Sequence, residues 1–243
     1  MKRFVMAMVL SLAFTVQVRA GALMVTETTY DSSKVAKSIL SVGDKSIRVD
    51  IEGEKGNNTV IYRSDKQTFW MVNDKDKSYT EMTKAQMDAM AQKMSDAMKN
   101  MPPAVQKMMA GKMGGAVELP KYVKKASGEK VGKWTATRYE AVTKKGVRKM
   151  WTVPAGTIGI TPSDVAVLKE FAKFFEKFGK NQSDFFKFDR NDMGFTGVPV
   201  KSVMMEGEKV KSTSELKEAE SKSFPDSTFD VPAGYKKKEM KGI

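Results

Sequence analysis

Ile47, Val49 and Ile51 alternate with Arg48 and Asp50. A period of two is the mark of a half-buried strand, and it constrains this chain more than any other feature. Residues 59–64 (TVIYRS) and 68–73 (TFWMVN) are β-branched and aromatic, with Asp65-Lys66 near the turn between them. Residues 74–77 (DKDK) make the next turn, before Ser78-Tyr79-Thr80, and Gly43-Asp44 separates two earlier strands. Turn signals spaced by about eight to twelve residues predict an antiparallel meander over residues 21–80. Both faces of residues 59–73 carry large apolar groups: Val60, Tyr62, Phe69 and Met71, but also Ile61, Trp70 and Val72. A sheet with one wet face does not read that way, so each side of this hairpin must be covered.

The period changes over residues 82–113. Thr83 and Gln86 form a capping box, with Met82 and Met87 placed as a hydrophobic staple. Met87, Met90, Met94, Met98 and Met101 recur at spacings of three and four, one face of a helix that Pro102-Pro103 stops. A second short helical pattern, residues 104–113, ends at Gly114-Gly115. Strand patterns return at residues 117–127, 133–143 and 147–153. Thr161 as N-cap, Pro162 at the first helical position and Asp164 at the third start another helix. Val165, Leu168, Phe171, Phe174, Phe175 and Phe178 line one side of it, and Gly179 sits where a C-cap belongs. Residues 198–205 and 209–219 predict a last hairpin around Glu206-Gly207-Glu208. No fixed-period repeat or linker divides the chain, which predicts one domain over residues 21–235 and a frayed basic tail over 236–243.

The first twenty residues read as an address. Lys2 and Arg3 precede an almost wholly apolar run over residues 4–16, and Val18-Arg19-Ala20 gives the small-x-small ending of a cleavage site. This predicts a Sec-type signal cut between Ala20 and Gly21, and a periplasmic or secreted protein. Thirteen apolar residues at ~1.5 Å each fall short of a ~30 Å hydrocarbon core. The chain has no Cys and no His. Disulfides, thiolate nucleophiles, lipid-modified cysteines, Ser-His-Asp triads and imidazole metal ligands are thereby excluded, so no lipoprotein anchor is expected. No carboxylate pair stands out in an apolar setting as an acid/base couple. The expectation is a non-enzymatic protein with no cofactor and no metal.

Nine of the nineteen methionines lie in residues 82–113. They can pack as ordinary core, or present an adaptable surface to apolar partners. Helical spacing without His or Cys does not favour Cu(I). The Phe stripe at 171–178 reads as core or as the wall of an apolar cavity. The formal net charge is +13. Residues 121–150 hold ten basic residues against two acidic ones, Glu129 and Glu140. Lys124, Lys125, Lys133, Arg138, Lys144, Lys145 and Arg148 are the candidate basic surface, suited to anionic lipid or an acidic partner. Export argues against nucleic acid. Asp74, Asp76 and Ser78 begin like a calcium loop, but Tyr79 stands where glycine is needed and Ala85 where glutamate is, so this is a hairpin turn. The segment 128–133 (GEKVGK) is one residue short of a P-loop and is followed by Trp134.

The order Ile47-Arg48-Val49-Asp50, then residues 59–64, then Phe69-Trp70-Met71-Val72-Asn73 with Tyr79-Thr80-Glu81-Met82, resembles a family of exported bacterial domains of unassigned function. Gly197-Val198-Pro199-Val200 and the ending at residues 229–235 (FDVPAGY) resemble it too. The ending is similar to that of the lipoprotein-carrier (LolA/LolB-like) fold. The resemblance implies an α+β fold: a curved antiparallel sheet, an unclosed β-barrel, with helices packed in its concave face. It also implies an apolar ligand such as a lipid or acyl chain held between sheet and helices. Trp70, Met87, Met90, Met94, Met98, Trp151, Phe171, Phe174 and Phe175 are the candidate lining. The alternative is an envelope protein that docks a partner or an anionic membrane surface through residues 121–150.

Overall fold

The computed structural model describes residues 18–31, 33–53, 56–102, 120–144, 146–176 and 188–239, leaving aside the side chains at 18, 19, 91, 94, 95, 98 and 173–176. In chain order the elements are β1 (Val18–Tyr30), β2 (Val35–Gly43), β3 (Ser46–Glu52), β4 (Asn58–Arg63), β5 (Thr68–Asn73), β6 (Ser78–Thr83) and α1 (Lys84–Lys99). There follow β7 (Val123–Val131), β8 (Trp134–Thr143), β9 (Gly146–Val153), α2 (Pro162–Glu176), β10 (Val198–Glu206), β11 (Lys209–Pro225) and β12 (Lys236–Lys237). All twelve strands join one sheet in the order β12-β6-β5-β4-β3-β2-β1-β11-β10-β9-β8-β7.

The fold is mainly β, and this corrects the expected α+β half-barrel with two helices in its concavity. The sheet is unclosed and mixed: β12 lies parallel to β6, and the other neighbours are antiparallel. Only two α-helices occur among the described residues. Helix α1 touches β6, the strand it follows, whereas α2 rests on β2 and β3. The reason is how the strands connect. Short turns join consecutive strands within β1–β6, β7–β9 and β10–β11, and the long-range pairings of β1 with β11 and of β9 with β10 merge these runs into one growing sheet. Its apolar faces are then covered piecemeal.

Three buried clusters do the covering. In the largest, Leu40, Val42, Ile47, Val49, Tyr62 and Phe69 meet Met87 of α1 and Leu168 and Phe171 of α2. The second gathers Ile61, Trp70 and Val72 under Phe224 and Phe229. The third sets Tyr139, Ala141 and Met150 against Tyr122, Met193 and Phe195. The doubly apolar β4–β5 hairpin is thus explained: Phe171 covers one side of it and Phe229 the other.

Both helix starts follow their sequence signals. Gln86 N–H donates to Thr83 Oγ1 at 3.2 Å, and Thr83 N–H donates back to Gln86 Oε1 at 2.9 Å. At α2, Asp164 plays the reciprocal part with Thr161, at 3.3 and 2.8 Å. The predicted helix at 104–113 and the Gly179 cap lie outside the described residues, as do residues 1–17 of the predicted signal. Strand β1 spans the predicted cut, with Ala20 opposite Ser223 and Gly21 opposite Lys222. The tail also differs from expectation. Lys236 and Lys237 pair with Ser78 and Tyr79. Tyr235 donates its hydroxyl hydrogen to Asp74 at 2.8 Å, and Lys237 bonds Glu81 at 2.6 Å.

Candidate functional site

The predicted apolar lining does not assemble into one cavity. Trp70 and Phe171 sit on opposite sides of the β4–β5 hairpin. Phe171 is 5.9 Å from Tyr62 and 6.2 Å from Phe69, ring centre to ring centre, inside a filled core. Met87 is buried in that core, and Met90 is half-buried. The side chains of Met94, Met98, Phe174 and Phe175 lie outside the described residues. Trp70 donates its indole hydrogen to Glu81 at 3.0 Å, with Lys66 over its ring at 5.7 Å. These contacts hold Trp70 in place as part of the core.

Trp151 is different. It is half-buried and lines a groove of about 690 Å³ on β7–β11. Strand register builds that groove. Val147, Lys149 and Trp151 alternate onto one face of β9. Trp151 lies opposite Arg138 on β8 and Lys201 on β10, and Lys201 lies opposite Glu215 on β11. Lys149 lies opposite Val203. The β7–β8 turn adds Lys130, Lys133 and Trp134. Two of the three tryptophans and five lysines (130, 133, 149, 201 and 217) therefore face one depression, against Glu129 and Glu215.

The aromatic and charged groups are interlocked. Lys201 stands 5.8 Å over the Trp151 ring and Lys133 5.2 Å over Trp134, within cation–π reach. Trp151 donates its indole hydrogen to Glu129, which also accepts from Arg138 at 2.9 Å. The Trp151 bond, then Arg138, holds the Glu129 carboxyl below the usual carboxylate range against the opposing effect of desolvation. Glu215 accepts from Lys201 at 2.8 Å and Lys217 at 2.9 Å, and these bonds lower its pKa likewise. Both acids thus stay ionised at neutral pH. Lys149 also lines the groove, with Glu140 directly opposite it on β8.

The predicted basic surface is divided. Strand alternation gives Arg138 to the face of Trp151 and Arg148, opposite Ala141 and Met204, to the other face. Arg138 also bonds Glu140, so two carboxylates share its charge. Lys124 and Lys125 are exposed on the edge strand β7, Lys133 reaches the groove, and Lys144 is exposed in the β8–β9 turn. Lys145 lies outside the described residues. Missing from the sequence reading were Trp134, Lys149, Lys201, Lys217 and the two glutamates. Period two in residues 147–151 signals that Lys149 and Trp151 share a face. Nothing local signals that β10 and β11 close the groove beside them.

Residues 161–235 match DUF4412, a domain of unknown function. That stretch runs from the N-cap of α2 through β10 and β11 to Tyr235. No curated protein matches the chain significantly. An uncharacterized conserved protein from Thermus thermophilus superposes with a TM-score of 0.50 over 91% of both chains at 6% identity, a likeness of fold alone. A structure of PNGF-II gives a TM-score of 0.41 at 9% identity, covering 91% of this chain but 31% of that one. Neither the family match nor the Thermus thermophilus structure links the chain to the lipoprotein carriers. The chain shares its fold with the Thermus thermophilus protein and is similar, over residues 161–235, to the DUF4412 family of unknown function.

Proposed function

We propose that this protein is an exported, non-enzymatic binding module whose groove on β7–β11 takes an anionic amphiphile, a lipid or acyl chain with a negative head. One observation carries the reading: Trp134 and Trp151 line the same groove as five lysines. An apolar wall with a few fixed polar groups is the usual make-up of a small-molecule site. Lysines supply the attraction for a carboxylate or phosphate head. The half-buried Trp151 and Val203, backed by the core residue Trp134, offer the chain an apolar bed, and burial of each CH₂ yields about 0.8 kcal/mol.

Binding suits these groups better than catalysis. Glu129 and Glu215 are each hydrogen-bonded and held ionised, so neither is set up as a proton donor near neutral pH. The signal-like first twenty residues support a place outside the cytoplasm.

Titration with myristate, followed by tryptophan fluorescence, tests the proposal. Saturable binding that weakens in Trp151→Ala is the expected result. Native mass spectra without co-purifying lipid, together with no response to myristate or to an anionic lysolipid, would sink it.

A further inference from the structure

Two bulges bring two lysines onto one carboxylate in the groove. The register of β10 on β9 passes from Pro199 opposite Thr152 to Lys201 opposite Trp151 and skips Val200. The register of β11 on β1 passes from Leu216 opposite Thr26 to Glu218 opposite Val25 and skips Lys217. A bulge bends its strand and re-aims the side chains beside it, and bulges concentrate next to functional sites. Lys201 and Lys217 stand at these two bulges. Both reach Glu215, one at each carboxylate oxygen, at 2.8 and 2.9 Å. A third skip, at Gly128 on β7, comes just before Glu129.

The two glutamates of the groove are held differently. Glu129 accepts from the Trp151 indole and from Arg138, so moving it would leave a half-buried ring donor without its acceptor. Glu215 accepts from two lysine tips. Its side chain is 34% exposed, and those of Lys201 and Lys217 are 30% and 42% exposed, so another anion can reach all three. Lys217 also has Glu27 at 3.7 Å. Rotation of the Glu215 side chain carries its carboxylate into water, where hydration replaces the lost bonds.

We infer that Glu215 is a built-in stand-in for the ligand's anionic head: its carboxylate keeps Lys201 and Lys217 together, and an incoming carboxylate or phosphate takes both lysines from it. This rests on the groove's binding an anionic amphiphile. The exchange conserves hydrogen bonds, because the head accepts from the same two ammonium groups that Glu215 gives up. Until then Glu215 offsets the repulsion between two like charges that converge on one point. It also sets selectivity. A neutral head cannot replace the charge of Glu215, and a head with its own cation brings a positive charge against the lysines. Glu215 therefore weakens the binding of every anion while it keeps the two donors aimed.

Titration of the parent and of Glu215→Gln with myristate and with its neutral analogue tetradecanol, at neutral pH, tests this. Glutamine keeps the size of the side chain and removes its charge. Myristate should bind Glu215→Gln at least about fivefold more tightly than the parent, and tetradecanol should bind both alike. Glu215→Ser, which also removes the charge, should show the same gain. Adding Lys201→Ala and Lys217→Ala to Glu215→Gln should abolish it. Myristate affinity that stays level or falls in both Glu215 variants, or a gain that tetradecanol shares, would overturn the inference and leave the ligand class standing. Myristate that binds neither parent nor variants would overturn the ligand class and the inference with it.

Discussion

Tyr62 on β4 donates its hydroxyl hydrogen to Glu170 on α2 at 2.7 Å, and this bond fastens the helix to the sheet. The Tyr62 ring is almost wholly buried, at 2% exposure, whereas Glu170 reaches solvent. Tyr62→Phe keeps the ring and loses the bond, which should cost about 1 kcal/mol in urea unfolding. Tyr62→Ala also empties the space beside Phe171 and should cost about 3–5 kcal/mol. Equal losses from the two variants would show that the ring does not carry the packing.

The same pair predicts an alkaline limit. Burial, then the Glu170 bond, pushes the Tyr62 phenol well above its ordinary range. An unfolded tyrosine ionises near pH ~10 while the folded one keeps its proton, so rising pH favours unfolding. The stability this group contributes is present below pH ~10 and is lost as pH climbs toward the folded value. Urea midpoints measured through the alkaline range should therefore fall more steeply in the parent than in Tyr62→Phe.

Glu215 predicts the opposite edge. Bonds from Lys201 and then Lys217 lower its pKa, against a smaller effect of burial. Its contribution is present above the unfolded carboxylate pKa of ~4.3 and is lost as pH falls through the lower folded value. The stability gap between parent and Glu215→Gln should close in acid. A gap that persists at full size there would mean that ionisation is not what the bonds select.

Gly146 opens β9 with φ of 129°, a conformation costly for residues with a side chain. A Cβ there would lie 1.8 Å from the Met205 carbonyl oxygen. Gly146→Ala should therefore cost about 2–3 kcal/mol and loosen the pairing of β9 with β10. Hydrogen exchange at Val147 and Met205 reports that loosening directly, and unchanged protection would refute it.

Deleting the chain from Tyr235 onward removes β12 from the edge of β6. The lost ion pairs, Lys237–Glu81 and Lys238–Asp76, are exposed and worth little. The bared strand edge matters more, because unpaired donors and acceptors recruit another chain. Concentration-dependent association in sedimentation velocity is the expected outcome, with little change in thermal midpoint. A truncated protein that stays monomeric would show that β6 needs no cover.

Much of the fold is readable from the chain because its signals are local. Residues 68–73 form a strand with the predicted bounds. Both predicted helix caps form as capping boxes. The doubly apolar hairpin is covered on both sides, as its residues require. The candidate site was far less legible. Trp70, Phe171 and Trp151 were grouped because all three are large and apolar, yet Trp70 and Phe171 pack on opposite sides of one hairpin and only Trp151 borders the groove.

The sequence by itself determined most of the strand segments, the starts of both described helices, and that the β4–β5 hairpin must be covered twice. It misplaced the start of β7, at residue 117 instead of Val123, and missed β12. Alternation, caps and turn residues act within a few positions of one another, so they are written in order along the chain. Only the tertiary structure decided that β10 and β11 lie beside β9, that Lys201 stands over Trp151, and that the sheet is covered piecemeal instead of cradling two helices. Those outcomes depend on register and bulges between strands tens of residues apart, where a shift of one position sends a side chain to the other face.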